Sequence, residues 1–163
     1  MERATLIFFC GKMGAGKSTQ SKVICDQRNA ILISEDHWLS KLYPNEIKIF
    51  QDYIHYSSLL KTVIKPLVVS MLEKGVNIVM DFPANTLNQR SWFKGIISES
   101  GAKHELIYLD VSDQKCLKQI AKRRIENPER ADFDNEEVFY QVTQYFQPPE
   151  EKEDFNITKI RND

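Results

Sequence analysis

The chain has 163 residues, 42% of them hydrophobic and 28% charged, with a net charge of −1. That length suits one domain with a substantial core, and the near-neutral balance excludes a global positive field that would recruit nucleic acid or an anionic membrane. Three widely spaced cysteines, Cys10, Cys25 and Cys116, form no C-x-x-C pair, which argues against a disulfide framework and a zinc site.

No run of ~18 apolar residues is present, and the chain enters a strand pattern almost at residue 1 without the apolar stretch of a signal peptide. The expectation is a cytoplasmic protein in a reducing compartment, with no membrane partner.

Residues 5–10 read as a buried strand, because Leu6-Ile7-Phe8-Phe9-Cys10 is continuously apolar. Directly after it, Gly11-Lys12-Met13-Gly14-Ala15-Gly16-Lys17-Ser18-Thr19 matches the phosphate-binding P-loop, G-x-x-x-x-G-K-[ST]. Small residues let the backbone curl so that successive N–H groups face a phosphate, and the helix expected over 17–28 aims its positive end at the same anion. Lys17 supplies a point charge for the β- and γ-phosphates, and the Ser18 hydroxyl can ligate Mg²⁺. Gly11, Met13, Gly14, Ala15, Gly16, Lys17, Ser18 and Thr19 are therefore the candidate nucleotide-binding residues. The alternative is a Gly-rich turn with no ligand, which the strand–loop–helix context disfavours.

Ala30-Ile31-Leu32-Ile33 is a second, β-branched strand. Ser34 can cap a helix with Glu35 and Asp36 in its first turn, and Pro44-Asn45 ends it. Residues 46–74 are helical in pattern. Pro66 lies inside, so either the helix kinks there or two helices meet near Tyr56-Ser57-Ser58. Strand three covers 76–80 and delivers Asp81; Thr86 or Asn88 caps a helix to about residue 100, closed by Gly101. Strand four covers 105–109, and Ser112-Asp113 caps a helix over 114–126. A polar flap follows, with a lid placed around 123–135. A helix over 136–146 stops at Pro148-Pro149, and 157–160 form a short edge strand.

Strands alternating with helices define an α/β class: a three-layer α/β/α sandwich with a parallel sheet of about five strands, in one domain over residues 1–163. Ligands sit beyond the C-terminal strand ends of such sheets. The P-loop, Ser34 to Asp36, Asp81 to Asn85 and Asp110 all fall there.

Phosphoryl transfer needs a phosphate cradle, a metal, a carboxylate for the nucleophile and positive charge on the transferring group. Glu35 or Asp36 could take the proton of an acceptor hydroxyl; helix-dipole compensation is the structural alternative. Asp81 stands where a Walker B carboxylate would hold Mg²⁺, or it caps a loop. Asn85 and Arg90 could touch acceptor or phosphate, although a helical Arg90 is equally suited to solvent. Lys122, Arg123, Arg124 and Arg130 form a basic cluster that either complements a helix dipole or supplies a lid arginine.

On these residues the chain resembles the small P-loop kinases grouped as "AAA domain", relatives of zeta-toxin-like kinases, chloramphenicol phosphotransferase and the kinase domain of polynucleotide kinase. Despite the label, these are kinases and not ring-forming motors. Gly11 to Thr19 is similar to the family's G-x-x-G-x-G-K-S-T, and Asp36 two residues before Trp38 is similar to its strand-two base motif. The resemblance thus favours Asp36 over Glu35. Asp81-Phe82-Pro83-Ala84-Asn85, followed by Arg90, is similar to the family's D-x-x-x-N segment and its Arg. Polynucleotide kinases tend to carry Asn where Pro83 stands. In the lid helix only Arg123 matches R-x-x-x-R, since Gln119 replaces the first Arg.

What the resemblance implies is an ATP-dependent, Mg²⁺-assisted kinase for a small-molecule hydroxyl. Lys17, Asp36 and Arg123 would be catalytic, Ser18 and Asp81 would hold the metal, and Glu35, Asn85 and Arg90 would contact the acceptor. The competing readings are a nucleotide-dependent switch and a nucleic-acid 5′-hydroxyl kinase, the latter disfavoured by the near-neutral charge.

Overall fold

Strands that are apolar at every position need cover on both faces, and helices supply it. The computed structural model describes residues 2–162. β1 (Thr5–Cys10), β2 (Ile31–Ser34), β3 (Ile78–Pro83), β4 (Lys103–Val111) and β5 (Ile157–Asn162) form one parallel sheet in the order β2-β3-β1-β4-β5. α1 (Lys17–Gln27) links β1 to β2. α2 (Glu35–Leu42) and α3 (Phe50–Glu73) lead to β3, and α4 (Leu87–Ser100) leads to β4. α5 (Asp113–Glu126), a 3-10 turn at Pro128–Arg130, α6 (Glu136–Thr143) and a second 3-10 turn at Glu151–Glu153 lead to β5.

Alternation along β1 divides the core. Leu6, Phe8 and Cys10 pack with Leu60, Ile64 and Val68 of α3 and with Phe93 and Ile96 of α4. Ile7 and Phe9 pack with Cys116 and Ile120 of α5 and Phe139 of α6. The three-layer expectation holds. β1 is central, with the chain running first to β2 on one side and later to β4 on the other. Its C-terminal end is therefore the topological switch point, where open parallel sheets bind ligands.

Among the boundaries that were open or that differ from expectation, three bear on the site and its supports. α3 is one continuous helix across Tyr56-Ser57-Ser58, with Pro66 inside. Pro66 is exposed, so the carbonyl left without its N–H partner can turn to water. β3 runs on to Pro83, which puts Asp81 inside the strand, paired in register with Ser34 of β2. α6 stops at Thr143 instead of 146, since Phe146 turns in to lie against Tyr108, ring centroids 6.3 Å apart.

Candidate active site

The P-loop conformation follows from its glycines. Gly14 and Gly16 have φ of 80° and 99°, left-handed values that side chains rarely adopt. A Cβ on Gly14 would also lie 2.7 Å from the Cys116 carbonyl oxygen, because α5 packs directly on the loop. α1 begins after Gly16 with no side-chain cap and no acid in its first turn. Its leading N–H groups and the positive end of its dipole therefore remain for an anion.

The Lys17 ammonium folds back to donate to the Gly11 carbonyl, with Lys12 O at 3.4 Å. Burial pushes its pKa down, opposed by the field of Cys10, Asp81 and Asp36. Met13 is half-buried against the α5-side core, Ala15 is buried, and Ser18 and Thr19 are exposed at the start of α1.

The Ser18 hydroxyl donates to Asp81 Oδ2 at 2.8 Å. Burial pushes the Asp81 carboxyl up; the Ser18 hydrogen bond and Lys17 counter this, while Asp36 adds to it. Among the described residues no group of three or more His, Cys, Asp or Glu side chains gathers to hold a metal. A hydroxyl and a carboxylate beside a phosphate cradle nevertheless fit Mg²⁺, which binds through one or two carboxylates together with phosphate oxygens and water.

Glu35 and Asp36 are adjacent and point different ways. The Ser34 hydroxyl accepts from the His37 N–H at 3.4 Å and starts α2. Glu35 is 3% exposed and accepts from Tyr53 Oη at 2.5 Å and Ser57 Oγ at 2.7 Å, both on α3. The expected acceptor contact is therefore corrected for Glu35: its carboxylate is taken up in joining α2 to α3. Asp36 is exposed, and its charge is felt by Lys17, Asp81 and Arg130.

Burial pushes the Glu35 carboxyl up, against the two hydrogen bonds. A carboxyl raised in the folded state gives stability that is complete below the ordinary Glu pKa and is lost as pH rises through the folded value. Glu35→Gln should flatten that decline, so that urea midpoints measured from pH 4 to 8 converge on wild type at the acid end and exceed it at the alkaline end. A mutant curve parallel to wild type would contradict the assignment.

Asn85 and Arg90 also depart from expectation. Asn85 Oδ1 accepts from the Gly11 N–H at 2.9 Å, the Asn85 N–H donates to Gln89 Oε1, and its carbonyl accepts from the Gln147 N–H. Its side-chain oxygen braces the P-loop. Arg90 is fully buried. Its Nε donates to Glu153 Oε1 at 2.8 Å, Nη1 to the Ala84 carbonyl at 3.0 Å and Nη2 to the Pro148 carbonyl at 3.3 Å. It is neither solvated nor turned to a phosphate.

In the flap, Arg123 donates through Nε and Nη2 to both oxygens of Asp134, at 2.9 and 2.6 Å, and Arg130 Nε donates to Oδ2 at 2.8 Å. Arg123 is thus held at one edge by Asp134, and its side chain is 35% exposed. Asp134 was not foreseen. Its i,i+4 spacing from Arg130 was the available signal.

A switch-point P-loop, a Ser–Asp pair beside it and an exposed carboxylate in the same field define a P-loop domain of the small-kinase type. The family described as "AAA domain" matches residues 6–149, and the chain belongs to that family. Over 126 residues it is 32% identical to the adenylate kinase of Rickettsia africae (strain ESF-5) and 30% identical to that of Rickettsia akari (strain Hartford). These stretches cover 72% of this chain and 58% of each relative, so the chain spans under two thirds of their length.

Among solved structures, the Mycobacterium tuberculosis APS kinase CysC in complex with AMPPNP and APS superposes with a TM-score of 0.66 at 14% identity, over all of this chain and 91% of that one. A sugar kinase from Janibacter sp. HTCC2649 gives 0.64 at 11% identity, over 97% and 85%. These likenesses are likenesses of fold.

Proposed function

We propose that the chain is a kinase that moves the γ-phosphoryl of ATP, with Mg²⁺, onto a hydroxyl of a small-molecule acceptor. The observation that carries this is the P-loop at the switch point, with the Ser18 hydroxyl bonded to Asp81 at 2.8 Å and Asp36 exposed just after the neighbouring strand end at Ser34. Similarity to proteins named adenylate kinase supports the same reading.

The P-loop N–H groups and the α1 dipole bind the phosphates, and Lys17 leaves the Gly11 carbonyl for the β- and γ-oxygens. Ser18 and Asp81 would hold Mg²⁺, which neutralises charge on the phosphates. Asp36 accepts the proton as the acceptor oxygen bonds to the γ-phosphorus and the bond to the bridging oxygen breaks, releasing ADP. Oriented donors then meet charge as it develops.

The test is a metabolite screen for ATP-dependent phosphorylation, with Lys17→Ala as control. One class of hydroxyl compound should be phosphorylated by wild type and not by the variant. ATP turnover that no small molecule stimulates would overturn the reading in favour of a nucleotide switch. Steeply salt-sensitive oligonucleotide binding would point to a nucleic-acid acceptor.

A further inference from the structure

The two outer edges of the sheet are protected unequally. β5 closes one side and carries Lys159 and Arg161 along its exposed length, charges of the kind that keep a strand edge from pairing. β2 closes the other side with Ile31-Leu32-Ile33-Ser34, which carries no charge. The Ile31 N–H is bonded inward to the Asn77 carbonyl, so the alternation of the ladder turns the N–H and C=O of Leu32 outward. Among the described residues no strand pairs with that edge.

The helix above the edge has the same character. Glu35, directly after β2, is bonded to Tyr53 and Ser57, and Leu60 and Ile64 share one core with Ile33, Ile78 and Met80. α3 therefore lies over β2 and β3. One of its flanks turns to α4, with the Lys61 ammonium 5.2 Å from the Trp92 ring centroid and Lys65 paired with Glu99 at 3.0 Å. The opposite flank overhangs the β2 edge. Leu59, Val63 and Leu67 recur along it at helical spacing, and all three are exposed, Val63 at 61%. Tyr56, on the same flank, lies against Tyr43, ring centroids 4.3 Å apart, beside the exposed Leu42. Lys61 and Lys65 are the only charged residues between Tyr56 and Ser70, so this flank is uncharged for about four turns.

Strand and helix accept one two-fold axis. Leu32 lies about 10 Å back along the strand from Glu35, a distance that takes roughly six to seven residues of helix. Counted along α3 from Ser57, it ends at Val63. Strands pair about 4.8 Å apart, so a helix over β2 and β3 stands about 5 Å from an axis at the β2 edge. Its mate is then about 10 Å away, the distance at which helices pack. An apolar, uncharged surface is also its own complement, as a two-fold contact requires.

We propose that this face docks a second copy of the chain. β2 pairs antiparallel with its mate through Leu32, and the α3 flanks pack antiparallel, with Val63 on the axis and Leu59 against Leu67 of the partner subunit. The α3 strip, about 36 Å long and 10 Å wide, is smaller than the roughly 800 Å² per protomer of a standard interface. The strand edge and Leu42 add to it, and the dimer is a reversible one.

Sedimentation equilibrium of the full chain from roughly 1 to 200 μM spans such an interface. The mass should move from 19.0 kDa toward twice that value. Val63→Glu sets two like charges against each other at the axis and should raise the dissociation constant at least about a hundredfold. Its circular dichroism should match wild type, because the side chain is exposed. Ile125→Glu, on the exposed end of α5, should leave association unchanged. Val63→Cys should give a disulfide-linked dimer with copper-phenanthroline as oxidant, since a residue on a two-fold meets its own mate; wild type controls for Cys25. A wild type that stays monomeric throughout overturns the proposal and leaves the flank to a different protein. A dimer that tolerates Val63→Glu, or that Val63→Cys does not cross-link, overturns it as well.

Discussion

Asp36→Asn is expected to lower phosphoryl transfer about 10²- to 10⁴-fold, the usual worth of a positioned general base, while AMPPNP binding stays near wild type. The substitution keeps the size of the side chain and removes its negative charge and its capacity to take a proton. Asp36 is exposed, and α2 is anchored independently of it by the Ser34 cap and the Glu35 bonds to Tyr53 and Ser57. Folding should therefore be nearly unchanged. Loss of the negative charge also removes a repulsion on Asp81, so nucleotide affinity should not fall on electrostatic grounds.

Glu35→Gln is the matched control. Its carboxylate is buried against α3, so transfer should survive there. Steady-state rates on the acceptor found by the screen, with AMPPNP titrations of both variants, decide the matter. Equal loss of transfer in the two variants, or loss of AMPPNP binding in Asp36→Asn, would contradict the assignment.

The contrast between Glu35 and Asp36 marks how far the sequence alone could reach. Local physics was legible. The apolar run of β1, the glycines of the P-loop, and the Ser34, Thr86 and Ser112 caps depend on neighbours in the chain, and each stands where expected. The kink or break considered for α3 could not be decided from the pattern, because packing of Leu60, Ile64 and Val68 onto the sheet sustains one helix through Pro66.

The long-range partners of the candidate site residues were not legible. Asn85 meets Gly11 74 residues away, and Arg90 meets Glu153 63 residues away. Nothing in a local window distinguishes an arginine that faces a phosphate from one folded into the core. Only the tertiary register decides, and it gives both side chains a bracing partner.

Arg90→Ala is expected to be the most destabilising single change, by about 3–5 kcal/mol, the cost of removing one partner from a buried ion pair. The side chain has no exposed surface, and that of Glu153 is 12% exposed. Removing the guanidinium leaves the Glu153 carboxylate with the Glu150 N–H as its remaining partner and deprives the Ala84 and Pro148 carbonyls of donors. For a chain of this length the loss corresponds to a fall in Tm of about 6–20 °C. Arg90→Lys should fall between, since an ammonium keeps the charge and loses the fork.

Burial alone would raise the Glu153 carboxyl, but hydrogen bonds from Arg90 and the Glu150 backbone outweigh it and hold the group below its ordinary range. A depressed carboxyl gives stability that is present above the unfolded pKa and lost as pH falls through the folded value. Wild type should therefore show a steeper acid limb than Arg90→Ala in denaturant midpoints followed downward from pH 6. The double variant Arg90→Ala/Glu153→Ala should recover part of the single loss, because no uncompensated charge is left buried. If Arg90→Ala melts with wild type, or the double variant is worse by the full sum of the single effects, the pair does not hold the 84–85 turn after β3 to the 148–153 segment.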